Sequence, residues 1–140
     1  MAGDYEFFSR PEWTALRDTY GLEFREQRTM DPALMYQAAA EGAVDAISAF
    51  TTDGRITAYS LRILEDDRAA IPPYDALILV SARLVREQPE IVQALALLEG
   101  SIDVDTMRRM NFDVDEHGAE PSEVAATYLL QLSPSATQTP

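Results

Sequence analysis

Two short apolar runs set the strongest limit on how this chain folds. Residues 44–50 and 74–80 are rich in aliphatic and aromatic side chains, and turn-forming residues bound them: Glu41-Gly42 and Asp53-Gly54 around the first, Pro72-Pro73 before the second. Runs this short fit strands covered on both faces better than buried helices. Helix signals alternate with them. Ser9-Arg10-Pro11-Glu12 reads as a capping box with Ser9 at the N-cap and Glu12 reaching back, and the helix carries Trp13, Leu16 and Tyr20 before stopping at Gly21. Asp31-Pro32 opens a second helix with Leu34, Met35 and Ala38 on its apolar side. Residues 22–25 and 61–64 read as further strands. Strands alternating with helices predict an α/β layered fold with a largely parallel sheet.

After residue 80 the pattern is helical. It predicts helices over 82–87 and 89–98, the second stopped by Gly100, one capped by Asp103 through Met107 and Met110, and a last one over 123–132 opened by Pro121. Residues 133–140 form a Ser/Thr/Pro tail expected to be disordered. Only residues 4–8 precede the first helix, too few for an ordinary opening strand. The chain therefore reads as beginning inside a domain.

Composition removes whole classes of function. With 140 residues the chain can build one domain with a core. No apolar run approaches the ~18–20 residues that cross a bilayer, and residues 1–6 lack the basic and apolar regions of a secretory signal. Acidic residues number 24 against 11 basic ones, all arginine, for a net charge of −13. A field of that sign repels phosphate backbones, so no nucleic-acid partner is expected. The absence of cysteine excludes disulfides, thiol catalysis and thiolate zinc sites. The absence of lysine excludes Schiff-base and P-loop chemistry. No cofactor or metal site is expected. Residues 113–118 imitate a calcium loop only superficially, because the spacing fails and no glutamate closes it. His117, the single histidine, has no nucleophile nearby and reads as an exposed loop residue. The chain is read as a binder and not an enzyme.

Phe50 and Tyr74 each stand at the edge of an apolar run beside a turn, with no reactive cluster for company. Aromatic walls without reactive groups suit capture of a ligand. Taken in order, Glu6-Phe7-Phe8-Ser9-Arg10-Pro11, Tyr20-Gly21-Leu22, Met30-Asp31, residues 34–38, residues 42–45, residues 50–56, residues 64–67, Pro72-Pro73-Tyr74, Met110-Asn111 and Val114-Asp115 form a series. That series resembles the substrate-binding proteins of osmoprotectant ABC transporters, which take glycine betaine, choline, carnitine or proline betaine. The likeness runs from about Tyr5 to Leu132 and covers the latter part of such proteins.

The resemblance implies an incomplete type II periplasmic-binding-protein fold. Residues 1–70 would be most of the second, ligand-binding lobe, and residues 71–132 the returning segment that completes the first lobe. It implies a quaternary-ammonium ligand, an ABC permease in the membrane as partner, and an extracytoplasmic location, periplasmic or at the cell surface. A two-lobed site would be regained through a separately encoded first lobe or a swapped homodimer. The competing reading is a non-transporting interaction or remnant module that pairs with a partner chain and binds no solute alone.

Three residues are implied at the ligand. A quaternary ammonium cannot donate hydrogen bonds and is held by the negative faces of aromatic rings, each contact contributing about 0.5–2 kcal/mol. By motif position, Phe50 before Thr-Thr-Asp-Gly and Tyr74 after Pro-Pro fall on two members of the family's aromatic box. Many relatives carry tyrosine where this chain has Phe50. Arg10, in a Glu-Phe-x-x-Arg motif, falls on a carboxylate-binding arginine whose planar fork suits a betaine's acid group. Tyr36, Trp13 and Tyr20 read as packing residues. Asp53 reads as fixing its turn through backbone N–H groups, and Glu65-Asp66-Asp67 as a solvated loop.

Overall fold

The computed structural model describes residues 1–132. They fall into two compact units, one spanning Met1–Pro73 and the other beginning at Tyr74.

In the first unit β1 (Ala2–Gly3) pairs in parallel with β2 (Arg28–Thr29), Ala2 opposite Arg28 and Gly3 opposite Thr29. Ala2 also bridges Ile47 in parallel. Its amide donates to Ala46 O at 2.9 Å and its carbonyl accepts from Ser48 N at 3.0 Å. The small parallel sheet is thus centred on the second residue of the chain. Ala2 is fully buried and shares a core with Met35, Ala38 and Val44, against which Met30, Ala39 and Ile47 pack.

The sheet ends at Asp4, whose Oδ1 accepts from the amides of Glu6 and Phe7, each at 2.8 Å. That turn feeds a single 3-10 turn at Phe7–Ser9 and then α1 (Pro11–Tyr20). Residues 4–8, too few for an ordinary opening strand, form none; the opening strand is two residues long and lies before them. The capping box also differs from expectation. Arg10 occupies the N-cap position, with no side-chain cap, and Ser9 Oγ donates to Glu6 O at 2.7 Å. The C-terminus follows the sequence signal: Gly21 sits at φ 63°, a left-handed conformation that costs glycine little. Trp13 is buried by α1 against Phe7, Phe8 and Phe24, with ring centroids 5.4–6.1 Å away.

Helix α2 (Pro32–Ala40) starts where Asp31 accepts from Ala33 N at 2.8 Å. It buries Met35, Tyr36 and Ala38. After the Ile47 bridge the chain turns at Phe50 and enters α3 (Arg55–Ala58). Residues 22–25 and 61–64, expected as strands, belong to no strand. In the first case the ladder forms a few residues later, where Arg28 N reaches Met1 O and Met30 N reaches Gly3 O, both at 3.0 Å.

The second unit contains α4 (Ala82–Glu87), α5 (Pro89–Ala96), α6 (Val104–Asp115) and α7 (Pro121–Leu132), close to the helices expected there. Ser81 caps α4 through Leu84 N at 3.1 Å, and Asp103 caps α6 through Thr106 N at 2.7 Å. Residues 74–80 form no ladder among the described residues. Leu77 and Leu79 are 79% and 90% exposed. An apolar strand needs a paired neighbour as well as a suitable composition. The expectation of a disordered tail over 133–140 lies outside the described residues.

Candidate functional site

The turn that carries Phe50 is built on a half-buried polar cluster. Phe50 O accepts from Asp53 N at 3.0 Å, which closes a four-residue turn through Thr51 and Thr52. Asp53 Oδ1 accepts from the Arg55 backbone N at 3.0 Å and from its Nε at 2.9 Å, and Asp53 Oδ2 accepts from Arg55 Nη2 at 2.7 Å. Asp53 Oδ2 also accepts from the hydroxyl of Tyr36 at 2.8 Å. The Arg55 guanidinium lies 4.2 Å from the centre of the Tyr36 ring and donates to Pro32 O at 3.3 Å. Tyr36 is 2% exposed, whereas Phe50, at the other end of this chain of bonds, is 58% exposed.

Electrostatics follow from this packing. Burial alone would push the Asp53 carboxyl up. The hydrogen bonds from Arg55 and Tyr36 outweigh it and hold the group below the usual carboxylate range. Burial and the adjoining carboxylate both push the Tyr36 phenol well above its ordinary value. Asp53 fixes its turn as its position in the sequence suggests. The tyrosine and arginine that lock it were not legible there, since Tyr36 reads as a plain apolar helix position.

Arg10 stands at the start of α1, with Nη2 2.6 Å from Glu6 Oε2. It helps line a shallow hollow of about 210 Å³ with Asp4, Tyr5, Glu6 and Pro32. Arg10 and Phe50 belong to the first unit, and Tyr74, 74% exposed, opens the second. A second hollow of about 560 Å³ lies between α6 and α7, lined by Arg109, Asp113, His117, Glu123 and Tyr128 among others. None of the three expected ligand contacts lines it. His117 is mostly exposed, with Nδ1 3.1 Å from Asp113 Oδ1.

The acidic stretch at 65–67 is not merely solvated. The Tyr20 hydroxyl donates to Asp66 Oδ1 at 2.5 Å and lies 3.0 Å from Asp67 Oδ1, while Arg68 N donates to the Tyr20 oxygen at 2.9 Å. Asp66 also accepts from Ala70 N at 3.0 Å and Ile71 N at 2.8 Å. Burial and the bond to Asp66 push the Tyr20 phenol up to about 12. The bond from Tyr20, then those from Ile71 and Ala70, hold Asp66 below the usual carboxylate range. Tyr20 thus ties the end of α1 to the segment that leads out of the first unit.

Comparison with known proteins places this architecture. Residues 1–131 match the substrate binding domain of ABC-type glycine betaine transport systems. The chain is 33% identical over 117 residues to a carnitine transport binding protein of Listeria monocytogenes, covering 84% of this chain and 38% of that protein. It is 34% identical over 132 residues to a glycine-betaine-binding protein of Pseudomonas aeruginosa, covering 92% of this chain and 42% of that one. A crystal structure described as a glycine betaine/carnitine/choline ABC transporter superposes with a TM-score of 0.82 at 33% identity, covering 93% of this chain and 48% of the other. The chain thus spans less than half the length of these relatives, and its fold is an incomplete type II periplasmic-binding-protein fold. This 140-residue chain belongs to the family of substrate-binding domains of ABC-type glycine betaine transport systems, which are solute-binding components and not enzymes.

Proposed function

We propose that the chain serves an ABC importer of quaternary-ammonium compatible solutes such as glycine betaine, choline or carnitine, outside the cytoplasm, by holding the solute with Phe50, Tyr74 and Arg10. The observation that carries the proposal is an apolar ring, Phe50, held out on a turn whose base is locked by a buried tyrosine and an arginine–carboxylate fork. Exposed apolar side chains are common in this chain, so it is the fixed turn beneath Phe50, and not its exposure alone, that supports a binding role. The electron-rich faces of Phe50 and Tyr74 would meet the methylated cation. The Arg10 guanidinium would meet a ligand carboxylate, displacing Glu6 from its 2.6 Å contact. The net charge of −13 adds a mild long-range attraction for cationic solutes.

In this reading residues 1–70 supply most of one ligand-binding lobe and residues 71–132 the segment that returns to the other. The exposed apolar run at 74–80 is the place where further polypeptide, such as the longer relatives carry, would complete the first lobe. Closure of two lobes over the solute would bias the closed state that docks on the permease.

Isothermal calorimetry with glycine betaine and choline tests the assignment. Each of Phe50→Ala and Tyr74→Ala should weaken binding about 2- to 30-fold, the range of one cation–π contact. Arg10→Ala should weaken glycine betaine more than choline, which has no carboxylate. Unchanged affinities in all three variants would rule the assignment out.

A further inference from the structure

We propose that Tyr36, Asp53 and Arg55 form a positioning cluster that sets the pose of the Phe50 ring, so that affinity for a methylated cation depends on a buried tyrosine hydroxyl acting through the turn. The inference rests on the reading of Phe50 as a ligand contact. It adds residues that sequence motifs alone did not assign to the site.

The geometry forms a continuous path. Tyr36 is anchored in α2 between the core residues Met35 and Ala38, and its hydroxyl bonds Asp53 Oδ2 at 2.8 Å. Asp53 is simultaneously gripped by the Arg55 fork, and its own amide donates to the carbonyl of Phe50 at 3.0 Å. On the far side of the turn, Ile56 N bonds Asp53 O at 3.2 Å, and the buried Ile56 side chain anchors α3. The backbone on which Phe50 sits is therefore fixed from α2 on one side and α3 on the other. Attraction between a cation and a ring depends on the cation lying over the ring face, so ring orientation translates directly into affinity. Because the Arg55 and Asp53 charges are paired, the cluster places no unpaired charge beneath the site.

A double-mutant cycle separates positioning from plain structural support, because residues acting through one another are non-additive. Glycine betaine and choline are titrated into the full chain and into Tyr36→Phe, Phe50→Leu and the double variant. Tyr36→Phe should weaken binding by about twofold or more, the lower bound for coupled residues, and should cost nothing further once Phe50 is leucine. Equal losses in both backgrounds, or no loss in Tyr36→Phe while Phe50→Leu binds weakly, overturn the positioning role and leave the ligand reading intact. Phe50→Leu binding as well as the parent chain removes the ligand reading and the affinity claim with it.

Fluorine NMR of the chain labelled with para-fluorophenylalanine adds a measurement that needs no ligand. The Phe50 resonance, assigned by its loss in Phe50→Leu, should shift or broaden in Asp53→Asn, which disturbs the cluster without introducing a further labelled ring at position 36. An unmoved resonance overturns the cluster's control of the ring. Asp53→Asn removes the carboxylate at nearly constant shape, and it also serves the titrations should Tyr36→Phe fail to fold.

Discussion

Removing a single oxygen tests the energetic basis of the Phe50 turn. Tyr36→Phe deletes the hydroxyl that bonds Asp53 Oδ2 at 2.8 Å but keeps the ring, its burial and its contact with the Arg55 guanidinium. A hydrogen bond to a charged group contributes about 1.5–3 kcal/mol. Asp53 Oδ2 retains Arg55 Nη2 at 2.7 Å, so no oxygen is orphaned and the lower part of that range applies, about 1.5–2 kcal/mol. For a unit of this size that corresponds to a fall of about 6–16 °C in melting temperature. Trp13 is the single tryptophan, is buried in the first unit, and reports its unfolding by fluorescence without interference from the second.

Acid supplies the internal control. Asp53 is held below the usual carboxylate range in the folded chain. Its contribution is therefore fully present above the unfolded value of about 3.9 and is lost as pH falls through the folded value. Below that window Tyr36 faces a neutral acid, and the penalty should shrink towards the ~1 kcal/mol of a neutral hydrogen bond. A penalty below about 0.5 kcal/mol at neutral pH, within the scatter of ordinary surface substitutions, would refute the reasoning. So would a penalty unchanged by acid wherever both proteins remain folded.

Three further outcomes follow from particular contacts. A Cβ at Gly3 would lie 2.7 Å from Phe7 Cδ1 and 3.1 Å from Phe8 Cε2, so Gly3→Ala should destabilise the first unit by about 1–3 kcal/mol, read again by Trp13 fluorescence. Glu6→Gln removes the carboxylate paired with Arg10 and should tighten glycine betaine by about twofold or less, the scale of an exposed ion pair, while leaving choline unchanged in calorimetry. Asp66→Asn should speed hydrogen exchange at the Ala70 and Ile71 amides, which the carboxylate now accepts; in the parent chain that protection should persist above the ordinary carboxylate range and fade as pH falls through the lowered value.

Much of the helical half was legible because its signals are local. Asp31-Pro32, Asp103 and Gly21 each act within a turn of their own position, and α2, α6 and the end of α1 fall where those residues direct. Strands were read less well because pairing is decided by residues far away. Nothing in exposed Arg28-Thr29 marks it as a strand, yet it pairs with Ala2-Gly3, while the more apolar residues 74–80 join no described ladder. The same division holds at the candidate site. Thr-Thr-Asp-Gly shows a turn beside Phe50, and the turn is there. That its carboxylate would be locked by a tyrosine seventeen positions earlier, or that Tyr20 would reach Asp66 across forty-six, is a property of the folded chain alone.

The decisive experiment is calorimetric titration of the chain with choline and with its uncharged carbon isostere, which keeps the shape and removes the positive charge. Saturable heat for choline, lost with the isostere and diminished in Phe50→Leu and Tyr74→Leu, is the expected result. Indifference to the charge, or to both rings, would contradict capture of a methylated cation by Phe50 and Tyr74.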